Sequence, residues 1–162
     1  MIFRREFCEK GDSMYAAAIL HDIGIIVEDQ FVHEGFCEIL QTVEHDGLNL
    51  VDVEDSFLGY NHARIGEALG AHWGLPPEFV RSIGHHHGTL NDGASYSRME
   101  LTLYVANYLC QAHGIGFDDS RNRNADLYNH CLNMLGLDET SIDIIINDLY
   151  TEIALLEQQG LL

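Results

Sequence analysis

The chain is poor in positive charge. Only 8 of its 162 residues are lysine or arginine, against 26 aspartate and glutamate, for a formal net charge of −18 at pH 7. A nucleic-acid binder needs a basic face, and anionic lipid attracts basic clusters, so neither partner is expected. Proline occurs only as the adjacent pair Pro76 and Pro77. The four cysteines, Cys8, Cys37, Cys110 and Cys131, are far apart and form no Cys-x-x-Cys pair. Three of them lie in helical, apolar surroundings and are expected as buried, reduced thiols, which fits a cytoplasmic protein. No apolar run approaches the ~20 residues of a membrane span. Met1 to Glu6 is followed by no apolar core, so no signal peptide is expected.

What is present suits a globular fold. Hydrophobic residues make up 46% and charged residues 21%, and the length fits one domain of roughly 100–200 residues. The stretches between glycines read with helical period. The clearest is Ile142, Ile146, Leu149, Ile153 and Leu156, one face of a long helix with Asp138 or Thr140 as cap. Further helices are expected over about 12–20 or slightly beyond, 34–44, 51–58, from Asn61 to Gly74, 97–113 and 125–135. Pro76 and Pro77 open another that reaches His87 and stops at Gly88. There is no strand pair, repeat or linker: the fold class is all-α, a single helical domain over 1–162.

Histidine is abundant, ten residues in all. His21 continues the spacing of Met14 and Ala17 or Ala18, so it falls on an apolar face, with Asp22 next to it. His62 heads the stripe Ile65, Leu69, Trp73. His86 and His87 follow Phe79, Val80 and Ile83 at helical spacings. Asn107 sits four residues after Leu103 and three before Cys110. His85 shares a side with Glu78 and Arg81 and is expected in solvent. Buried polar groups need partners and buried charges need a countercharge or a metal. Singly, each histidine reads as a satisfied core residue. As a set, imidazoles plus a carboxylate suit a divalent ion such as Zn, Mn or Fe. Neighbouring residues on a helix diverge by about 100°, so the doublets His21–Asp22 and His86–His87 can serve two metals, or one metal and a second contact.

The residues at these positions carry a resemblance. Ala18-Ile-Leu-His-Asp-Ile-Gly24 resembles the signature of the HD superfamily of metal-dependent phosphohydrolases. The segment from Glu54 to Gly66, with Trp73-Gly-Leu-Pro76, Ile83-Gly-His-His-His87 and Val105-Ala-Asn-Tyr-Leu109, resembles its HDOD branch. The ordered set covers about residues 15–116. It implies an HD-domain-like helical bundle with the polar groups at its centre, and it implies His21, Asp22, His62, His86 and His87 as metal ligands. Asp22 is also the implied catalytic residue where relatives are active.

The chain departs from the catalytic pattern in several places. No histidine precedes His21, the later aspartate is Asn107, and the lysine that often follows His-Asp-x-Gly is Ile25. No Gly-Tyr-Pro follows His86–His87. The N-terminal helical half of a full HDOD module is missing. The expectation is therefore a signalling or regulatory domain acting through protein contacts, with a degenerate divalent-metal site and a possible homo-oligomer. The alternative is a metal-dependent phosphohydrolase for a nucleotide or cyclic dinucleotide, with Arg64 near the phosphate. Arg64 is otherwise expected in a surface pair with Glu67. His33, Glu34 or Glu54 could replace the missing ligand; Glu54 is otherwise expected to anchor its short helix by hydrogen bonds.

Overall fold

The computed structural model describes residues 2, 7, 12–88, 95–116 and 124–161. Cys8 and most of the first six residues lie outside this set. The described residues form helices and no strand: α1 (Asp12–Leu20), α2 (Ile23–Phe31), α3 (His33–Asp46), α4 (Leu50–Leu58), α5 (His62–His72), α6 (Pro77–Gly84), α7 (Arg98–Ala112), α8 (Ala125–Leu135) and α9 (Glu139–Gln158). None is long and apolar enough to cross a membrane.

Local chemistry sets most of the starts. Asn49, Asn61, Asn124 and Asp138 each accept a backbone N–H in the first turn of the helix they precede, satisfying a donor the helix cannot use itself. Ser97 and Glu100 form a reciprocal capping box on α7. Asp138, not Thr140, is the cap of α9.

Three sequence expectations change. First, α2 is a helix that the sequence pattern does not announce. The chain breaks at His21–Asp22 and restarts at Ile23, so His21 and Asp22 occupy a turn rather than a helix face. Second, α6 ends at Gly84. His85, His86 and His87 form the following turn, closed by the Gly88 N–H donating to the His85 carbonyl at 2.9 Å. Third, the buried face of α5 is His62, Ala63, Gly66 and Gly70, while Trp73 is 52% exposed. Small residues form that face because the backbones meet there. A Cβ on Gly24 of α2 would lie 2.0 Å from the His62 carbonyl oxygen, and one on Gly66 would lie 2.7 Å from the Ile83 side chain.

The packing follows from these contacts. α5 lies against α2 and α6, α6 against α1 and α7, α3 against α2 and α4, and α7 against α1 and α8. One apolar cluster joins α7, α8 and α9 through Leu101, Val105, Cys131, Leu135, Ile145 and Ile146. Another joins α3 and α4 through Ile39, Val43, Leu50 and Val53. Met14 and Ala17 of α1 meet Met99 and Leu103 of α7 in a third. The α9 stripe holds at Ile146 and loosens toward Leu156, which is 37% exposed. Cys131 is fully buried, whereas Cys37 and Cys110 are only partly so.

Candidate metal centre

Two turns and one helix start deliver polar side chains to one point in this bundle. The α1–α2 turn supplies Asp22, the first residue of α5 supplies His62, and the turn after α6 supplies His86 and His87. One potential ligand atom from each of these four lies within 4.8 Å of the other three. His62 and His86 are 0% and 1% exposed; Asp22 keeps 46% of its side chain exposed and opens the cluster to solvent.

The remote ring nitrogens are already committed. His62 Nδ1 donates to Glu54 at 2.7 Å, and the His62 backbone N–H donates to the same carboxylate at 3.0 Å. His86 Nδ1 donates to the Ile83 carbonyl at 2.6 Å. His21 Nδ1 does the same to the Ala18 carbonyl at 2.6 Å. With Nδ1 donating outward, the neutral form of the His62 and His86 rings presents an Nε2 lone pair inward, the tautomer a metal needs and the arrangement outer hydrogen bonds usually enforce.

Those inward atoms lie close together. His62 Nε2 shares a hydrogen bond with His87 Nε2 at 2.8 Å and lies 3.7 Å from Asp22 Oδ1. His86 Nε2 is 3.2 Å from Asp22 Oδ1 yet buried without a hydrogen-bond partner. A lone pair facing a carboxylate oxygen calls for a cation between or beside them. A proton is opposed: burial lowers the His86 pKa, and burial with the neighbouring His86 and His62 lowers that of His87 well below the usual value. Burial pushes Asp22 up, but the adjoining His21 and His86 rings outweigh this and hold it well below the ordinary carboxylate range. A carboxylate with neutral imidazoles is a donor set that suits a divalent transition ion.

His21 sits beside this group rather than within it. Its Nε2 is 3.0 Å from Asp22 Oδ2, and its ring meets His86 edge-on with centroids 4.9 Å apart. Asn107 faces the same cavity as His21, Asp22 and His87. Glu54 anchors His62 as described. His33 and Glu34 lie elsewhere, both exposed at the start of α3, with His33 Nδ1 2.8 Å from Asp29. Arg64 is exposed and, among the described residues, forms no ion pair with Glu67, whose carboxyl packs over Gly84 instead. His85 is only partly in solvent, with 29% of its side chain exposed: its Nδ1 donates to the buried Glu100 at 2.9 Å, and Arg81 Nε approaches the same carboxylate at 3.6 Å.

Glu28 has no counterpart among the residues that the sequence points to. It is 1% exposed, both its oxygens lack hydrogen-bond donors, and it forms a second compact set with Glu54 and His62. Burial, then the Glu54 charge, pushes it up to about 8. Its only signal in the sequence is an acid following Ile25-Ile26-Val27.

The HDOD domain model matches residues 1–89, more than half of the chain, and spans every residue of the four-member cluster. The chain belongs to the HDOD family. The Val105–Leu109 segment lies beyond the matched range of this HDOD domain. The fold is similar to the crystal structure of an HDOD domain protein with unknown function from Geobacter sulfurreducens, with a TM-score of 0.77 and 20% identity over 94% of this chain and 54% of that one. At that identity the likeness is one of fold. The chain thus spans about half the length of that HDOD protein. No curated protein matches.

Proposed function

We propose that this HDOD domain is a regulatory, signal-transducing unit whose His/Asp cluster holds a divalent ion for structure or sensing, and that it acts on protein partners rather than on nucleic acid. The observation that carries the metal is the buried, unpartnered Nε2 of His86 facing Asp22. Asp22, His62, His86 and His87 would hold the ion, with His21 orienting Asp22. When bound, the ion would supply positive charge and, if a coordination position stays open, Lewis acidity toward water.

Two features favour regulation over turnover. Asn107 offers a neutral oxygen where the catalytic pattern has a carboxylate. Among the described residues, no lysine or arginine lines the adjoining cavity to engage a phosphate. The second reading, a metal-dependent phosphohydrolase, is favoured by one observation, the cavity that opens directly onto Asp22 and His87.

The test has two arms. Elemental analysis of protein purified without added metal should find a transition ion, and His86→Ala should lose it. Hydrolysis of an aryl phosphodiester and of cyclic dinucleotides, with Mn, Fe or Zn added, should be negligible. Turnover that vanishes in His21→Ala would replace the regulatory reading with the phosphohydrolase one.

A further inference from the structure

A cavity of about 550 Å³ lies beside the cluster, within the usual range for drug-sized ligands. Its walls are mainly apolar: Ile25, Phe36, Leu40 and Leu50 on one side, Leu103 and Ala106 of α7 on the other. Phe36, Leu50 and Leu103 are at most 5% exposed, so the cleft reaches into the core, while its exposed Ala18 and Gly116 edge opens to solvent. Polar groups gather in two places. His21, Asp22 and His87 form one end, and Asn107 with Gln111 marks the α7 wall.

The charge pattern discriminates between ligands. Among the described residues of the lining, Asp22 is the one carboxylate and no lysine or arginine contributes. The chain as a whole carries a net charge of −18. An anion entering here without a metal meets a carboxylate and apolar wall, with nothing to replace its hydration. An apolar body with a neutral or cationic head replaces water along the walls and places a hydrogen-bond donor at Asp22 or Asn107.

We infer that this cavity binds a small molecule with an extended apolar body and an uncharged or cationic polar head, seated with the head at Asp22 and Asn107 and the body between α3, α4 and α7. This rests on the regulatory reading for its meaning, since it names the class of signal the domain would sense. It does not rest on it for its chemistry, because the lining is present without a metal.

The experiment uses the full chain stripped with EDTA and the neutral fluorophore N-phenyl-1-naphthylamine. The fluorophore should bind saturably with enhanced emission. Dodecanol and dodecylamine should displace it at concentrations at least tenfold lower than dodecanoate. Ala18 is exposed at the cavity edge, so Ala18→Trp should keep the fold and weaken all three at least tenfold; Ala106→Phe narrows the cavity from α7 and should do the same. Asp22→Asn should shrink the preference for amine over carboxylate. No saturable binding, dodecanoate competing as well as dodecylamine, or binding untouched by both blocking variants would each overturn the inference. A protein that holds metal but not these probes would leave the regulatory reading standing and end this one; probe binding without metal retention would do the reverse.

Discussion

Glu54 grips His62 twice, through the backbone N–H at 3.0 Å and the ring Nδ1 at 2.7 Å, with both side chains 0% exposed. The first bond fixes where α5 begins and the second fixes which ring nitrogen faces the cluster. A single carboxylate thus sets the position and the tautomer of a candidate ligand.

Glu54→Gln should therefore weaken divalent-metal binding by roughly 10–100-fold, the usual effect of losing an outer carboxylate. Competition with a chelating dye for Zn or Mn measures it. Equal affinity in wild type and variant would show that His62 needs no such support.

The protonation of Glu28 gives a pH signature. Between the ordinary glutamate value of 4.5 and about 8, the folded chain keeps a proton that the unfolded chain has lost. Stability from this group is present in full below 4.5 and is lost as pH rises toward 8. His86 and His87, lowered by burial, give the opposite slope, so the informative quantity is the difference between variant and wild type. Glu28→Gln, always neutral, should gain on wild type from pH 5 to 8, reaching a few kcal/mol at most. Urea denaturation in EDTA across that range checks it; a constant difference would refute the assignment.

Two glycines should respond in opposite ways to alanine. Gly24→Ala places a methyl 2.0 Å from the His62 carbonyl oxygen, backbone against backbone, and should destabilise the fold by about 3 kcal/mol or more while loosening the metal cluster. At Gly35, inside α3, an added methyl would meet nothing within 4 Å. Gly35→Ala should stabilise by roughly 0.5–1 kcal/mol through helix propensity. Thermal and urea melts of the pair decide both.

Asn107→Asp should tighten Mn or Zn binding, on the order of tenfold, because a charged oxygen replaces a neutral one. It should do so without producing full phosphodiesterase turnover. Calorimetric titration with the metal and the phosphodiester assay together test this; unchanged affinity would place Asn107 outside the metal's reach.

Much of the helix order is readable in the sequence because capping residues and glycines are local signals. Asn61, Ser97 and Asp138 mark starts that need no tertiary knowledge. The break at His21–Asp22 is not readable: Ile23 to Val27 shows no polar alternation from which a separate helix could be inferred. The buried face of α5 is misplaced by sequence because apolar size points to Ile65 and Trp73, whereas the closest backbone approach selects Gly66 and Gly70. His21, Asp22, His62, His86 and His87 stand out by pattern; the last four come together and His21 lies beside them. Glu28 and the Glu100 partner of His85 depend on contacts between distant segments, on which spacing along one helix is silent.

Glu100 belongs to two structures at once. It closes the capping box of α7 through Ser97 and holds His85, the residue before the two histidines of the cluster. The helix it starts carries Leu103, Ala106 and Asn107 along the cavity wall. The cluster and the cavity thus share one support: the residue that holds the histidine turn also starts the helix that walls the cavity. If both places are filled, whatever effect one occupant has on the affinity of the other is mutual and of the same factor.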